Sequence, residues 1–232
     1  MPTLIYSMSV SLDGHIAGPD GAIDWAAPDE ELMRFHNEQT RQLTGHLSGR
    51  ALYEDMLVWE TAEQTGAGPR ELEFARTWKA IPKVVFSTSL TTVEGNARLA
   101  RRDVADEVAE LKNRPGAGVV SVGGARFAGS LAEKDLIDEY RLFVSPVVLG
   151  GGTPCFPPLP KRLDLELIET RTFSQVVYLR YRRSSSLSKG VRARVAWQHR
   201  GACAGYKRSV ARPRRSTHQA GQHSPTGAAA GS

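Results

Sequence analysis

The chain has 232 residues, of which 41% are hydrophobic, 24% charged and 7% aromatic. That balance allows one large domain or two small ones around a sizeable core, and no apolar run nears the roughly 20 residues that a membrane-spanning helix needs. The formal net charge of +5 conceals a split: residues 184–232 hold nine Lys or Arg and no acid, whereas residues 1–183 carry 21 basic and 25 acidic groups, a net of −4.

Residues 3–10 (TLIYSMSV) alternate and predict a strand, followed by the glycine-rich loop SLDGHIAGPDG. Residues 29–43 put Leu32, Phe35, Gln39 and Leu43 on one face behind Pro28, with acids in the first turn, and predict a helix. A short strand at residues 46–48 leads into Gly49-Arg50 and a short helix reaching about Leu57. Residues 69–79 form a further helix, and Lys83 to Ser87 (KVVFS) a compact buried strand. A helix over 103–113 turns Val104, Val108 and Leu111 inward. Residues 118–122 form a strand that ends at Gly123-Gly124, where a helix over 125–132 begins. Residues 142–149 read as a long strand interrupted by Pro146, and 163–172 with 175–183 as a C-terminal hairpin.

Strands alternating with helices predict a mostly parallel sheet covered on both faces, with an antiparallel edge from the last hairpin. The domain is expected to span residues 1–183. The Ser-, Gly-, Ala- and Arg-rich residues 184–232 read as a basic, disordered tail. A non-native extension, a linker and a nucleic-acid arm are all compatible with that composition, and nucleic-acid binding is the weakest of these readings. The first twenty residues lack a basic start and are broken by Asp13, His15 and Asp20, so no secretory signal is expected and the protein reads as cytoplasmic. Cys155 and Cys203 give neither a disulfide framework nor metal-ligand spacing. Cys155 has no basic neighbour in sequence and reads as inert, and no metal is expected.

Three turns could hold anions. Gly123-Gly124 opens a helix, whose N-terminal N–H groups and positive potential suit a diphosphate, although a tight turn explains the glycines equally. Arg50 could fork onto a phosphate, and Ser87-Thr88 end another strand with hydroxyls. All three follow strands, so in a parallel sheet they share the edge where ligands of open α/β folds bind. No G-x-G-x-x-G follows the first strand, and no phosphate-binding P-loop is present. Asp13-Gly14 is compatible with turn chemistry, and His15 with an exposed loop.

In their order, SxDGxIAG (residues 11–18), GRxxYE (49–54), KVVFS (83–87), VGGARF (122–127) and LIDEYRLFVSPVVLGGGTPCFP (136–157) resemble the dihydrofolate reductase-like superfamily. Within it they are most similar to the C-terminal reductase domain of the bifunctional riboflavin-biosynthesis deaminase-reductase. The resemblance implies a mainly parallel sheet of about eight strands, NADPH as hydride donor, a small heterocyclic substrate and a homodimer. By motif, Ser9, Ile16 and Ala17 would line the nicotinamide with Trp25 close by. Gly49, Arg50, Ser87 and Thr88 would surround the adenosine 2′-phosphate, and Gly123, Gly124, Ala125 and Arg126 the diphosphate. Asp13 would act as the catalytic-site carboxylate, contacting substrate or ordering the nicotinamide loop.

The departures lie mostly toward the substrate. Folate reductases have a phosphate-binding Thr where Leu52 stands and a Thr beside the pterin where Phe143 stands. The riboflavin enzymes have a Lys where this chain has Ser7. Asp29 or Glu30 falls near the folate reductases' substrate carboxylate, but a helix-start acid explains either one. A pyrimidine-type reductase is therefore the leading reading, with a dihydrofolate reductase and a non-catalytic nucleotide-binding module as alternatives.

Overall fold

A computed structural model describes residues 1–116 and 118–184. The expectations for the tail, Cys203 included, lie outside the described residues.

The main sheet has eight strands in the order β5-β4-β3-β6-β1-β7-β10-β9. In chain order these are β1 (Thr3–Ser11), β3 (Leu43–Gly49), β4 (Lys83–Phe86), β5 (Ala97–Leu99), β6 (Val119–Gly123), β7 (Glu139–Ser145), β9 (Leu165–Phe173) and β10 (Val176–Arg183). Strands β5 through β7 pair in parallel, and β10 runs antiparallel to both β7 and β9. A separate two-stranded piece joins β2 (His15–Ala17) to β8 (Thr153–Pro154). The mostly parallel eight-stranded sheet with its antiparallel C-terminal hairpin is thus present.

The helices follow from local chemistry. Helix α1 (Glu30–Arg41) starts at Asp29, whose carboxylate accepts the Leu32 N–H at 2.8 Å, and α4 (Val104–Asn113) is capped likewise by Asp103. Helix α2 (Arg50–Met56) begins straight after β3, α3 (Pro69–Ala80) has Pro in its first turn, and α5 (Ala125–Glu133) follows β6. The main core gathers Leu4, Tyr6 and Val10 of β1, Leu47 of β3, Val120 and Val122 of β6, and Leu131 of α5. On the opposite face, Leu32 and Phe35 of α1 pack with Phe143, Phe173 and Tyr178.

Several boundaries differ from the sequence reading. Leu43 belongs to β3 because α1 ends at Arg41. Strand β7 begins at Glu139 and stops before Pro146, which lacks the N–H a continuing strand needs. The three-residue β5 and the pair β2–β8 are too short to show an alternation.

Candidate active site

The sheet topology puts the predicted turns side by side. Strands β4, β3 and β6 are consecutive and parallel, so their C-terminal ends, Ser87-Thr88, Gly49-Arg50 and Gly123-Gly124, open on one edge. The end of β1, which leads into Asp13, lies on the same edge beside β6.

The first two turns are in contact. Arg50 Nη1 lies 3.3 Å from Ser89 Oγ, and Ser87 Oγ is 3.4 Å from the same hydroxyl. The Ser87 hydroxyl also accepts the Ser89 and Leu90 N–H groups at 3.2 and 3.0 Å, which folds the segment back toward α2. Thr88 and Ser89 are exposed. Glu54 lies 3.7 Å from the Arg50 guanidinium, a solvent-screened pair that leaves the Arg50 donors accessible. The arrangement brings one guanidinium and two serine hydroxyls to a single exposed spot, a donor set suited to a phosphate monoester. Ser89 was missed in the sequence because one more serine after Ser87-Thr88 carries no pattern.

The glycine turn is sterically specific. A Cβ on Gly123 would overlap Leu52 Cδ2 and come within 2.9 Å of His46 Cε1. Gly124 adopts φ +88° and caps α5 without a side chain, a conformation that glycine takes freely. Packing against Leu52 and His46 thus requires Gly123, and the positive φ favours Gly124; the first N–H groups of α5, from Ala125 and Arg126 onward, follow directly, with Arg126 exposed beside them. A helix start at the end of a parallel strand, beside the exposed Arg126, has the donors to hold a diphosphate.

His46 forms part of the support beneath this turn. It is buried, its Nδ1 is 2.7 Å from Ser121 Oγ, and burial carries its pKa down to about 3, with Lys83 adding repulsion. It is a neutral imidazole at physiological pH.

The loop after β1 is clasped by Asp13. Its carboxylate accepts the Leu149 and Gly150 N–H groups at 3.1 and 2.8 Å and the Ser11 hydroxyl at 2.7 Å. Ser11 Oγ accepts the His15 N–H in turn. These bonds, led by Ser11, hold the Asp13 carboxyl far below the usual carboxylate range. His15 is half-buried rather than exposed, because it opens β2 and places Nδ1 3.4 Å from Asp13. Gly152 lies so close to Ala17 and Gly18 that a Cβ there would be 2.7 Å from the Gly18 carbonyl carbon.

Ser9, Ile16 and Ala17 are half-buried around this loop, and Ile16 packs on the main core. Trp25 sits half-buried on a short 3₁₀ turn with its indole N–H donated to Ala22. Cys155 is buried, burial pushes its thiol up to about 11, and the sulfur lies 3.8 Å from the Tyr6 hydroxyl. That environment suits an inert thiol. Among the described residues no cluster of His, Cys, Asp and Glu could hold a metal, and no helix is long and apolar enough to cross a membrane.

A family model described as the RibD C-terminal domain matches residues 2–179. The chain is 32% identical over 184 residues to the uncharacterized protein YyaP of Bacillus subtilis (strain 168), covering 75% of this chain and 93% of that protein. Among solved structures it is similar to a protein from Shewanella sp. PV-4 named "Putative riboflavin biosynthesis protein", with a TM-score of 0.64, 24% identity and coverage of 79% and 99%. It is also similar to dihydrofolate reductase from Enterococcus faecalis complexed with NADP(H), with a TM-score of 0.53, 16% identity and coverage of 79% and 97%. Both likenesses are of fold.

Proposed function

The chain belongs to the RibD C-terminal domain family, and on that premise we propose an NADPH-dependent reductase that delivers hydride to a small heterocyclic substrate. It would be related to 5-amino-6-(5-phosphoribosylamino)uracil reductase of riboflavin biosynthesis. One observation carries this reading. Three consecutive parallel strands end together in a guanidinium-hydroxyl cluster and a glycine-led helix start beside an exposed Arg126. That spacing of two anion sites along one sheet edge suits a cofactor with a phosphate monoester at one end and a diphosphate in the middle. A dihydrofolate reductase of the same fold was solved with NADP(H), which supports the same ligand here.

Once bound, the dihydronicotinamide supplies the hydride. Gly49, Arg50, Ser87, Thr88 and Ser89 would hold the 2′-phosphate, and Gly123, Gly124, Ala125 and Arg126 the diphosphate. Ser9, Ile16, Ala17 and Trp25 would frame the nicotinamide and keep water from it. Asp13 stays ionised at neutral pH, so its part is to hold the nicotinamide loop in place rather than to give up a proton.

The test is a thermal-shift titration of the full-length protein with NADPH and NADH at equal concentrations. A much larger rise in midpoint with NADPH supports the reading. Equal shifts remove the 2′-phosphate assignment, and no shift with either cofactor overturns it. The dihydrofolate reductase alternative is disfavoured by Leu52, which packs at Gly123, and by Phe143, which is buried against Phe35 and Tyr178. A nucleotide-binding module would bind NADPH without any substrate oxidising it. The same reading takes the protein to be a cytoplasmic homodimer, which sedimentation equilibrium tests for assembly.

A further inference from the structure

The sheet has a second opening, at the end away from the phosphate turns. A cavity of about 230 Å³ lies where β3, β4 and β5 begin, between those strands and the last turn of α4. Gly45 in its wall precedes Gly49 by four residues, so roughly 13 Å of strand separates the cavity from the Arg50 turn.

Gly45 makes the space. It is buried and lies two residues before Leu47, so both positions look toward the main core and α4. Its φ is not positive, and a Cβ there would meet Val120 Cγ2 at 3.6 Å, an ordinary contact. Backbone geometry therefore does not demand a glycine, and a larger side chain would occupy the cavity instead. Folded interiors leave few voids of this size.

The walls divide by chemistry. Val84 and Val120 are buried and Leu111 of α4 is half-buried, which gives an apolar floor. Thr44, Asn96 and Arg114 are exposed, so the mouth is open to solvent. Arg98 also lines the cavity, but both of its Nη groups are committed to the buried Glu107 carboxylate. Arg114 is held more loosely. Its Nη2 lies 3.5 Å from one Glu110 oxygen, and the other oxygen is taken by Arg102. Two guanidinia thus share one carboxylate, and the planar fork of Arg114 keeps donors for a further anion.

We propose that this cavity binds a small single-ring carboxylate, with the ring on the apolar floor and the carboxylate on Arg114. A cavity of about 150 Å³ already holds benzene, so this one admits a ring together with its carboxylate. The site stands apart from the edge where the cofactor turns lie, and it does not rest on the reductase reading.

The experiment is a ligand-observed NMR titration of the full-length protein with benzoate, benzamide and acetate, repeated with NADPH in excess. Benzamide keeps the ring without the charge, and acetate keeps the charge without the ring. Benzoate should bind about tenfold more tightly than either, and NADPH should change its affinity by less than about twofold. Arg114→Gln should weaken benzoate by about fivefold or more, and Gly45→Val, which puts a side chain into the cavity, by a larger factor. Equal binding of the three probes, no binding of benzoate, displacement of benzoate by NADPH, or undiminished binding to Arg114→Gln overturns the site. Should Gly45→Val fail to fold, Arg114→Gln, at an exposed position, decides alone. A protein that binds benzoate in this way but never binds NADPH keeps the site and counts only against the reductase reading.

Discussion

The Asp13 carboxylate accepts the Gly150 N–H at 2.8 Å, joining two loops that are 137 residues apart in sequence. With the Leu149 N–H and the Ser11 hydroxyl, it ties the loop after β1 to the glycine run after β7. Asp13→Ala should therefore lower turnover while leaving NADPH affinity within a few fold, because the phosphate turns lie on other strands. Hydrogen exchange at the Leu149 and Gly150 amides should speed up in the same variant. Normal turnover in Asp13→Ala would remove the role. The folded-state pKa of Asp13 is depressed, so its contribution is complete at neutral pH and is lost only in strong acid.

Gly123 makes a second prediction. An added Cβ would overlap Leu52 Cδ2 and crowd the buried His46 ring. Gly123→Ala should cost about 1–3 kcal/mol, the usual range for overpacking a tight core. Leu52→Ala in the same chain should recover part of that loss, since it removes the nearer obstacle. Urea unfolding of the two single variants and the double variant measures the coupling.

The phosphate cluster predicts cofactor choice. Arg50 approaches Ser89 Oγ at 3.3 Å, and a hydrogen bond to a charged partner contributes about 1.5–3 kcal/mol. Arg50→Ala should thus weaken NADPH by roughly 10- to 100-fold and leave NADH nearly unchanged. Ser89→Ala should shift the same ratio by a smaller factor. A variant that loses both cofactors equally would place Arg50 outside the 2′-phosphate site. Competitive titration with 2′-AMP gives an independent reading.

How far this was legible in the sequence depended on the range of each interaction. Asp29 capping α1 and the glycines closing β6 are local signals, and so they could be read directly. That the three turns share one edge follows from each closing a strand of a parallel sheet, but the adjacency of β4, β3 and β6 depends on long-range pairing and could not be read from periodicity. Ser89 was invisible for the opposite reason. Ser89 matters because Arg50, 39 residues earlier, reaches it. The Asp13 clasp was likewise hidden, since Asp13-Gly14 looks like any turn until Gly150 is folded against it.

The last prediction concerns stability away from the site. Glu107 of α4 is 1% exposed and accepts Arg98 Nη2 at 2.6 Å, Arg98 Nη1 at 3.1 Å and the Arg101 N–H at 3.0 Å. These partners, Arg98 first, hold its pKa down at about 2. Glu107→Gln keeps the shape and removes the charge, so it should cost about 3 kcal/mol, the low end for a buried pair because Arg98 is partly exposed. Between the ordinary carboxylate value and about 2 the unfolded chain binds the extra proton, so wild-type stability rises with pH across that window. The difference between wild type and Glu107→Gln should be full above pH 5 and shrink as pH falls through about 2. Urea midpoints measured from pH 6 down to pH 2 test this. A difference that stays constant over the whole range would show that packing of α4, and not the Glu107 charge, sets the loss.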